Sequence, residues 1–125
     1  MTVLVDTSVM IDVLRGHPGA TQVLRDARHG GPLHASEVTR LEVLADMRPA
    51  EEAATRAFFR AFVWHAVSDD VAERAGAIGR QWLPGNRGID VADLIIAATA
   101  DLLEARLYTM NVKRFPMFPG IGAPY

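Results

Sequence analysis

The sequence contains no cysteine, and only one of its 13 lysine and arginine residues is a lysine, Lys113. Without cysteine, neither a disulfide framework nor a thiolate metal centre is possible. No apolar run approaches the roughly 20 residues needed to cross a bilayer. The N-terminus also lacks the basic and apolar stretches of a secretion signal. We therefore expect a cytoplasmic protein with no membrane partner.

Histidine is scarce too, and the four histidines form no pair at the helical spacing of zinc sites. The chain of 125 residues is 50% hydrophobic, which predicts a single domain over residues 1–125 with a real core. Its net charge of −2 argues mildly against a dedicated nucleic-acid-binding surface. Arginine nevertheless suits phosphate recognition, although the base composition of the genome is the favoured explanation of its excess.

Hydrophobic patterning predicts short strands that alternate with helices. Ser8, Ser36, Ser68 and Asp90 are the predicted helix caps. Strands are expected at 2–6, 33–36, 63–67 and 107–110, and helices at 8–15, 20–29, 37–47, 51–62, 69–83 and 90–104. A Pro/Gly-rich tail follows over residues 115–125. This alternation predicts an α/β fold with a central parallel sheet that helices cover on both sides.

Three acidic residues stand beside or inside apolar segments: Asp6, Glu42 and Asp93. A carboxylate in such a place is costly unless it is paired or bound to a cation. Ligands of parallel sheets bind at the carboxyl ends of the strands, where Asp6 stands and where the helices carrying the other two acids begin. The pattern therefore suggests a shared Mg²⁺-like ion, which takes oxygen ligands.

Each acid also has a purely structural explanation. Asp6 could hydrogen-bond the turn that it starts, and Glu42 could lie on the polar stripe of its helix. Asp93 could be the reciprocal acid of a capping box with Asp90. Ser8 could cap its helix or orient Asp6. The metal site would be ruled out only if the structural explanations for Asp6, Glu42 and Asp93 all held.

Four segments, in order, resemble those of one protein family. They are residues 3–15 (VLVDTSVMIDVLR), 36–44 (SEVTRLEVL), 88–100 (GIDVADLIIAATA) and 107–115 (LYTMNVKRF). Together they resemble the PIN-domain family, and in particular the VapC-type toxins of bacterial toxin–antitoxin pairs. The resemblance spans nearly the whole chain, and the third segment is the most specific.

This resemblance implies a three-layer α/β/α sandwich and a metal-dependent endoribonuclease that uses Mg²⁺ or Mn²⁺. Such toxins cleave structured RNA, tRNA or rRNA, by attack of a metal-activated water on a phosphodiester. The catalytic and metal-binding acids of the family fall on Asp6, Glu42 and Asp93, with Ser8 beside them. Asn111 stands where many relatives carry another aspartate, so one firmly held ion is expected rather than two.

The resemblance also implies partners: a cognate antitoxin, an RNA substrate and a second copy in a homodimer. Antitoxins of this kind insert a peptide into a hydrophobic groove, and the aromatic residues Phe58, Phe59, Phe62 and Trp64 would suit such a groove or form plain core. Candidates for RNA phosphate binding are the cations that flank the family segments: Arg15, Arg87, Lys113 and Arg114.

Two other functions fit less well. A receiver domain of two-component signalling has a similar size and an acidic Mg²⁺ pocket, but it needs adjacent acids after the first strand and a phospho-accepting aspartate at mid-chain. A PIN-like protein without catalysis, acting only by binding, would fit Asn111. The intact acids at positions 6, 42 and 93 argue against it.

Overall fold

A four-stranded parallel sheet forms the centre of the computed structural model, which describes residues 1–125. The strands are β1 (Val3–Val5), β2 (Leu33–Ser36), β3 (Phe62–His65) and β4 (Arg106–Tyr108). Their order across the sheet is β3-β2-β1-β4, so β1 lies inside the sheet while β3 and β4 are its edges. Asp6 therefore follows an interior strand.

Six α-helices connect and cover the strands. They are α1 (Thr7–Leu14), α2 (Pro18–Arg28), α3 (Glu37–Asp46), α4 (Glu52–Phe59), α5 (Asp69–Trp82) and α6 (Val91–Leu103), with short 3₁₀ turns at Pro49–Glu51 and Val112–Arg114. Parallel strands cannot be joined by tight hairpins, which is why a helix follows each of the first three strands. No helix has both the length and the apolar character that a bilayer crossing requires.

Alternation along β1 divides the core between the two faces of the sheet. Val3 and Val5 pack with β2, β3 and buried residues of helices α1 to α4. Leu4 lies on the opposite face and packs against Ile96 and neighbouring residues of α6. Helix α5 packs in turn on α6. The predicted three-layer α/β/α sandwich is thus confirmed.

The predicted caps of three helices are confirmed. The hydroxyl of Ser36 accepts a hydrogen bond from the backbone N–H of Val38, and that of Ser68 accepts one from Val71. Asp90 caps α6 within a reciprocal capping box. Each such bond satisfies a backbone donor that the first turn of a helix leaves without a partner.

Three predicted details were wrong. Ser8 does not cap α1, because the helix already begins at Thr7 with Asp6 in the N-cap position. The fourth helix ends at Phe59, and Phe62 begins β3, where its side chain is buried. The break after α1 is also shorter than expected, because Pro18 fits the first turn of a helix, where its missing N–H is not needed.

A histidine pair bridges β2 and β3. His34 Nδ1 lies 2.8 Å from His65 Nε2, and the rings stack with centroids 5.1 Å apart. Burial lowers the pKa of both side chains, and for His34 the neighbouring His65 lowers the pKa further. The pair is therefore held neutral in the folded protein more strongly than in the unfolded chain.

This pair predicts a loss of stability on mild acidification. Unfolded histidine takes up a proton near pH 6.5, whereas the folded pair does so only at lower pH. The unfolded state then binds more protons at these two positions, so the contribution of the pair to the free energy of unfolding should fall as the pH drops below about 6.5. Urea unfolding between pH 5.5 and 7.5 should show a weaker fall for His65→Gln than for the wild type or the exposed control His29→Gln. Equal pH slopes for all three proteins would contradict this.

Candidate functional site

The acidic residues singled out from the sequence lie around the carboxyl ends of the strands. Asp6 follows β1 directly, and its backbone N–H donates to the carbonyl of Tyr108, the last residue of β4. Thr109 comes next in the chain and is fully buried. Asp6 and Thr109 thus end two neighbouring strands at the same level of the sheet.

Two hydroxyl groups hold the Asp6 carboxylate. Ser8 Oγ donates to Asp6 Oδ2 at 2.9 Å, and Thr109 Oγ1 donates to the same oxygen at 2.6 Å. Each hydroxyl also accepts a backbone N–H from the segment after β4: Ser8 from Met110 and Thr109 from Asn111. A hydroxyl has a single proton, so these accepted bonds direct both protons to Asp6. Of the two roles considered for Ser8, orienting Asp6 is the one observed.

Glu42 is positioned by a similar contact. It is half-buried on α3, and its Oε1 accepts a 2.7 Å hydrogen bond from Thr7 Oγ1. Thr7 Oγ1 in turn lies 3.1 Å from the hydroxyl of Thr39, which is buried. Thr7 follows Asp6 directly in the chain, so this contact ties Glu42 to the segment that carries the first acid.

Asp93 serves the helix start that carries it. Its Oδ2 accepts the backbone N–H of Asp90, and Asp90 Oδ1 accepts the N–H of Asp93. Asp93 therefore does form the capping box with Asp90 that the sequence suggested. Its second carboxylate oxygen, Oδ1, remains available for another role. Burial raises the pKa of Asp93 to about 6, with only 5% of the residue exposed. A buried carboxyl of this kind gains strongly from a nearby cation.

Arg114 supplies one such cation. Its Nη1 lies 3.8 Å from carboxylate oxygens of both Asp90 and Asp93. The backbone N–H of Arg114 donates to the carbonyl of Asn111, and Asn111 contacts Thr109. This turn therefore connects Asp93 to Asp6. The contact also means that Arg114, a predicted phosphate ligand, is already balanced by two acids in the structure.

The donor set suits a hard divalent cation, although the three acids do not surround one point. No group of three or more histidine, aspartate and glutamate side chains is close enough to hold a metal ion in this arrangement. Oδ1 of both Asp6 and Asp93 accepts no hydrogen bond, and no fully buried side-chain oxygen lacks a partner, so both oxygens reach the surface. Mg²⁺ commonly binds through one or two carboxylates and keeps several waters, and these two oxygens fit that pattern.

The remaining predicted site residues have different partners. Asn111 is exposed next to Thr109, and Arg87 and Lys113 are exposed without an ion pair. Arg15 lies 3.1 Å from Asp46 in an exposed ion pair, which offsets its charge. Arg87 and Lys113 therefore remain candidates for phosphate binding, whereas Arg15 is weakened as one.

Phe59 and Phe62 are buried, and Phe58 and Trp64 pack against them at the edge of the core. The structure thus favours plain core over a groove for these aromatic residues.

Sequence reasoning missed Thr109 as a site residue, and it gave Thr7 no part in holding an acid. The sequence did carry a signal for both contacts, because hydroxyl residues stand at the ends of the two strands. Thr7 and Ser8 come shortly after β1, and Thr109 comes directly after β4.

The PIN domain family model matches residues 3–115. Ribonuclease VapC19 of Mycobacterium tuberculosis is 45% identical over 123 residues, which cover 98% of each chain. Ribonuclease VapC10 of the same organism is 37% identical over 98% of this chain and 92% of its own. A toxin–antitoxin complex from Klebsiella pneumoniae contains a chain of similar structure, with a TM-score of 0.80 and 31% identity over 99% of this chain and 98% of that one.

Proposed function

Because this chain belongs to the PIN-domain family, we propose that it is a metal-dependent endoribonuclease and the toxin of a toxin–antitoxin pair. Its relatives of 45% and 37% identity are named as ribonucleases, and they match nearly the whole chain. The proposed substrate is structured RNA, tRNA or rRNA. The proposed ion is Mg²⁺, with Mn²⁺ as the alternative.

The observation that carries this proposal is the edge formed by Asp6 and Asp93. Both carboxylates are buried, each has one oxygen held by the protein, and each presents the other oxygen outwards. Burying a carboxylate is costly, and a cation bound at the two free oxygens would offset that cost for both acids. The arrangement supports a cation site next to which a phosphodiester can lie.

In the proposed mechanism Asp6 and Asp93 would hold the ion through the oxygens that accept no hydrogen bond from the protein. When bound, the ion would lower the pKa of a water and offset charge on the phosphate. Ser8 and Thr109 keep Asp6 from rotating, which preserves the direction of its free oxygen. Glu42, which is held by Thr7, would accept a hydrogen bond from the attacking water and orient it.

Arg114 takes the role of a phosphate ligand in this proposal. Its guanidinium lies 3.8 Å from Asp90 and Asp93, and a bound divalent cation would offset these acids and so leave Arg114 free to bind an RNA phosphate. The planar fork of arginine donates two parallel hydrogen bonds to phosphate oxygens. Lys113 and Arg87 extend the same positive region.

The proposed partners are a cognate antitoxin and a second copy of the chain. A cleft of about 230 Å³ between α1, α3 and α4 is lined by Ile11, Leu14, Val43, Met47 and Ala54, among others. This cleft is a better candidate for an inserted antitoxin peptide than the buried aromatic residues, because its apolar side chains face an open space. The proposed homodimer would be tested by the mass of the purified protein in solution.

Metal removal tests the proposed activity. Purified protein incubated with bulk tRNA or rRNA and Mg²⁺ should produce discrete new 5′ ends, and excess EDTA should abolish them. Restoring Mg²⁺ or Mn²⁺ should restore cleavage at the same positions, whereas Ca²⁺ tests whether any hard cation suffices. Cleavage that continues unchanged in EDTA would reject the metal-dependent mechanism. No cleavage of any RNA with either metal would favour a PIN-like binding protein instead.

A further inference from the structure

A second positive surface lies at the β3 edge of the sheet, away from the acids. It is a concave patch of about 330 Å³ lined by Arg40, Arg56, Phe59, Arg60, Phe62 and Trp64, which we name the α4 arginine patch. Arg56 and Arg60 are exposed and stand four residues apart at the end of α4, so they share one helix face. Neither of them has an acidic partner.

The floor of the α4 arginine patch is rigid. Trp64 donates its indole N–H to the carbonyl of Phe59 at 2.9 Å, which fixes the ring. The guanidinium of Arg40 lies 4.1 Å from the centre of that ring. Glu37 also holds Arg40, accepting two hydrogen bonds of 2.6 and 3.2 Å from its guanidinium. A planar cation is therefore held over an aromatic ring before any ligand arrives.

Resting on the proposed ribonuclease function, we infer that the α4 arginine patch binds the RNA substrate outside the cleavage site. RNA supplies both groups that the patch can recognise: phosphates for the free guanidinium groups, and base faces for stacking on the exposed side of Arg40. An acidic peptide would satisfy only the charge. The aromatic floor is largely covered by Arg40, so it offers no deep apolar pocket for a side-chain anchor.

The position of the patch fits an RNA strand that also reaches the acids. Ser36 of β2 is in register with His65 of β3, and Leu4 of β1 is in register with His34, so Asp6 and Trp64 stand near the same level of the sheet. Their strands are two strand spacings apart, roughly 10 Å. That is about three steps of a stacked nucleotide strand. The aromatic end of the patch is therefore within reach of an RNA strand that lies at the acids, whereas Arg56 and Arg60, which precede β3, would bind the continuation of that RNA toward the opposite end of the sheet.

The test measures RNA binding separately from cleavage. In an Asp6→Asn background with EDTA present, the affinity for bulk tRNA is compared between the protein with the patch intact and Arg56→Gln/Arg60→Gln. The matched control is Arg25→Gln/Arg28→Gln, which removes two exposed arginines near the end of α2 and causes the same change in net charge. Thermal unfolding of all proteins checks that the fold is retained.

Loss of two phosphate contacts should weaken binding roughly 20-fold at 0.1 M salt and reduce the slope of log affinity against log salt by about 1.4. The control should change both quantities much less. The variant Arg56→Lys/Arg60→Lys keeps the charge but loses the planar fork. Its RNA affinity should lie between those of the glutamine patch variant and the control. In the catalytically intact protein, the patch variant should raise KM for bulk tRNA, leave kcat unchanged, and leave cleavage of a short oligonucleotide unaffected.

Equal RNA affinities for the patch variant and its control would overturn the inference. It is also overturned if the patch variant keeps its RNA affinity but loses affinity for a polyglutamate peptide, because the patch would then be a protein-docking surface. These failures are distinct from failure of the proposed function. If the wild type cuts RNA and the patch variant has the same KM, only the inference falls. If the wild type cuts no RNA, the proposed activity falls first.

Discussion

Replacing Asp6 by asparagine is expected to lower the rate of RNA cleavage by roughly 10³-fold, at the upper end of the cost of losing one electrostatic group in an active site. The two hydroxyl donors, Ser8 and Thr109, decide how the new side chain is oriented. They require an acceptor at the Oδ2 position, so the amide oxygen must take that place. The amide nitrogen then occupies the position of the free Oδ1, where it removes both the charge and the ligand oxygen.

The same geometry explains why the fold should tolerate Asp6→Asn. The hydrogen bonds from Ser8 and Thr109 are kept, and the side-chain volume is nearly unchanged. Cleavage rates at saturating Mg²⁺ should be measured beside the control Asp70→Asn, which lies exposed in the first turn of α5. Unfolding midpoints should be similar for both variants. A cleavage rate for Asp6→Asn within threefold of the control would show that the proposed ion site is elsewhere.

The arrangement at the carboxyl ends of the strands was largely predictable, because the sequence patterns of strands, caps and helices agreed with the final fold. Short β-branched strands, each followed by a polar cap and a helix, predict parallel strands, and parallel strands place their carboxyl ends together. Asp6 needed only its position after Val3–Val5 to be placed correctly. The capping box of Asp90 and Asp93 was visible as two acids three residues apart before an apolar helix.

The contacts that orient the acids were not predictable, because they join distant parts of the chain. Thr109 contacts Asp6 across more than 100 residues, and Thr7 contacts Glu42 across two helices and a strand. Whether Arg114 faces the acids or the solvent depends on one short turn after β4. Sequence patterns report which residues belong to an element, but they carry little information about side-chain directions in irregular segments.

The C-terminal segment, residues 115–125, shows more clearly that sequence patterns do not predict the packing of irregular segments. Residues 115–125 have the proline and glycine content of a loose tail, yet Phe115 is completely buried. It packs with Leu4 of β1, Leu107 of β4 and Ile96 of α6 in the second core cluster. The end of the segment is also held, because the Tyr125 hydroxyl donates to Asp12 at 2.6 Å. Tertiary packing thus fixes a segment that has no regular secondary structure.

Phe115→Ala is therefore expected to lower the free energy of unfolding by about 3–5 kcal/mol, the usual cost of removing a fully buried phenylalanine. The cavity would open beneath the turn that carries Asn111 and Arg114, so the donors to Ser8 and Thr109 should loosen as well. Urea unfolding should be compared with Phe118→Ala, a half-buried neighbour whose ring stacks on Phe115 at 6.4 Å. Phe118→Ala should lower the free energy of unfolding clearly less than Phe115→Ala. A loss below about 1 kcal/mol for Phe115→Ala would mean that the tail contributes little to the core, contrary to its burial.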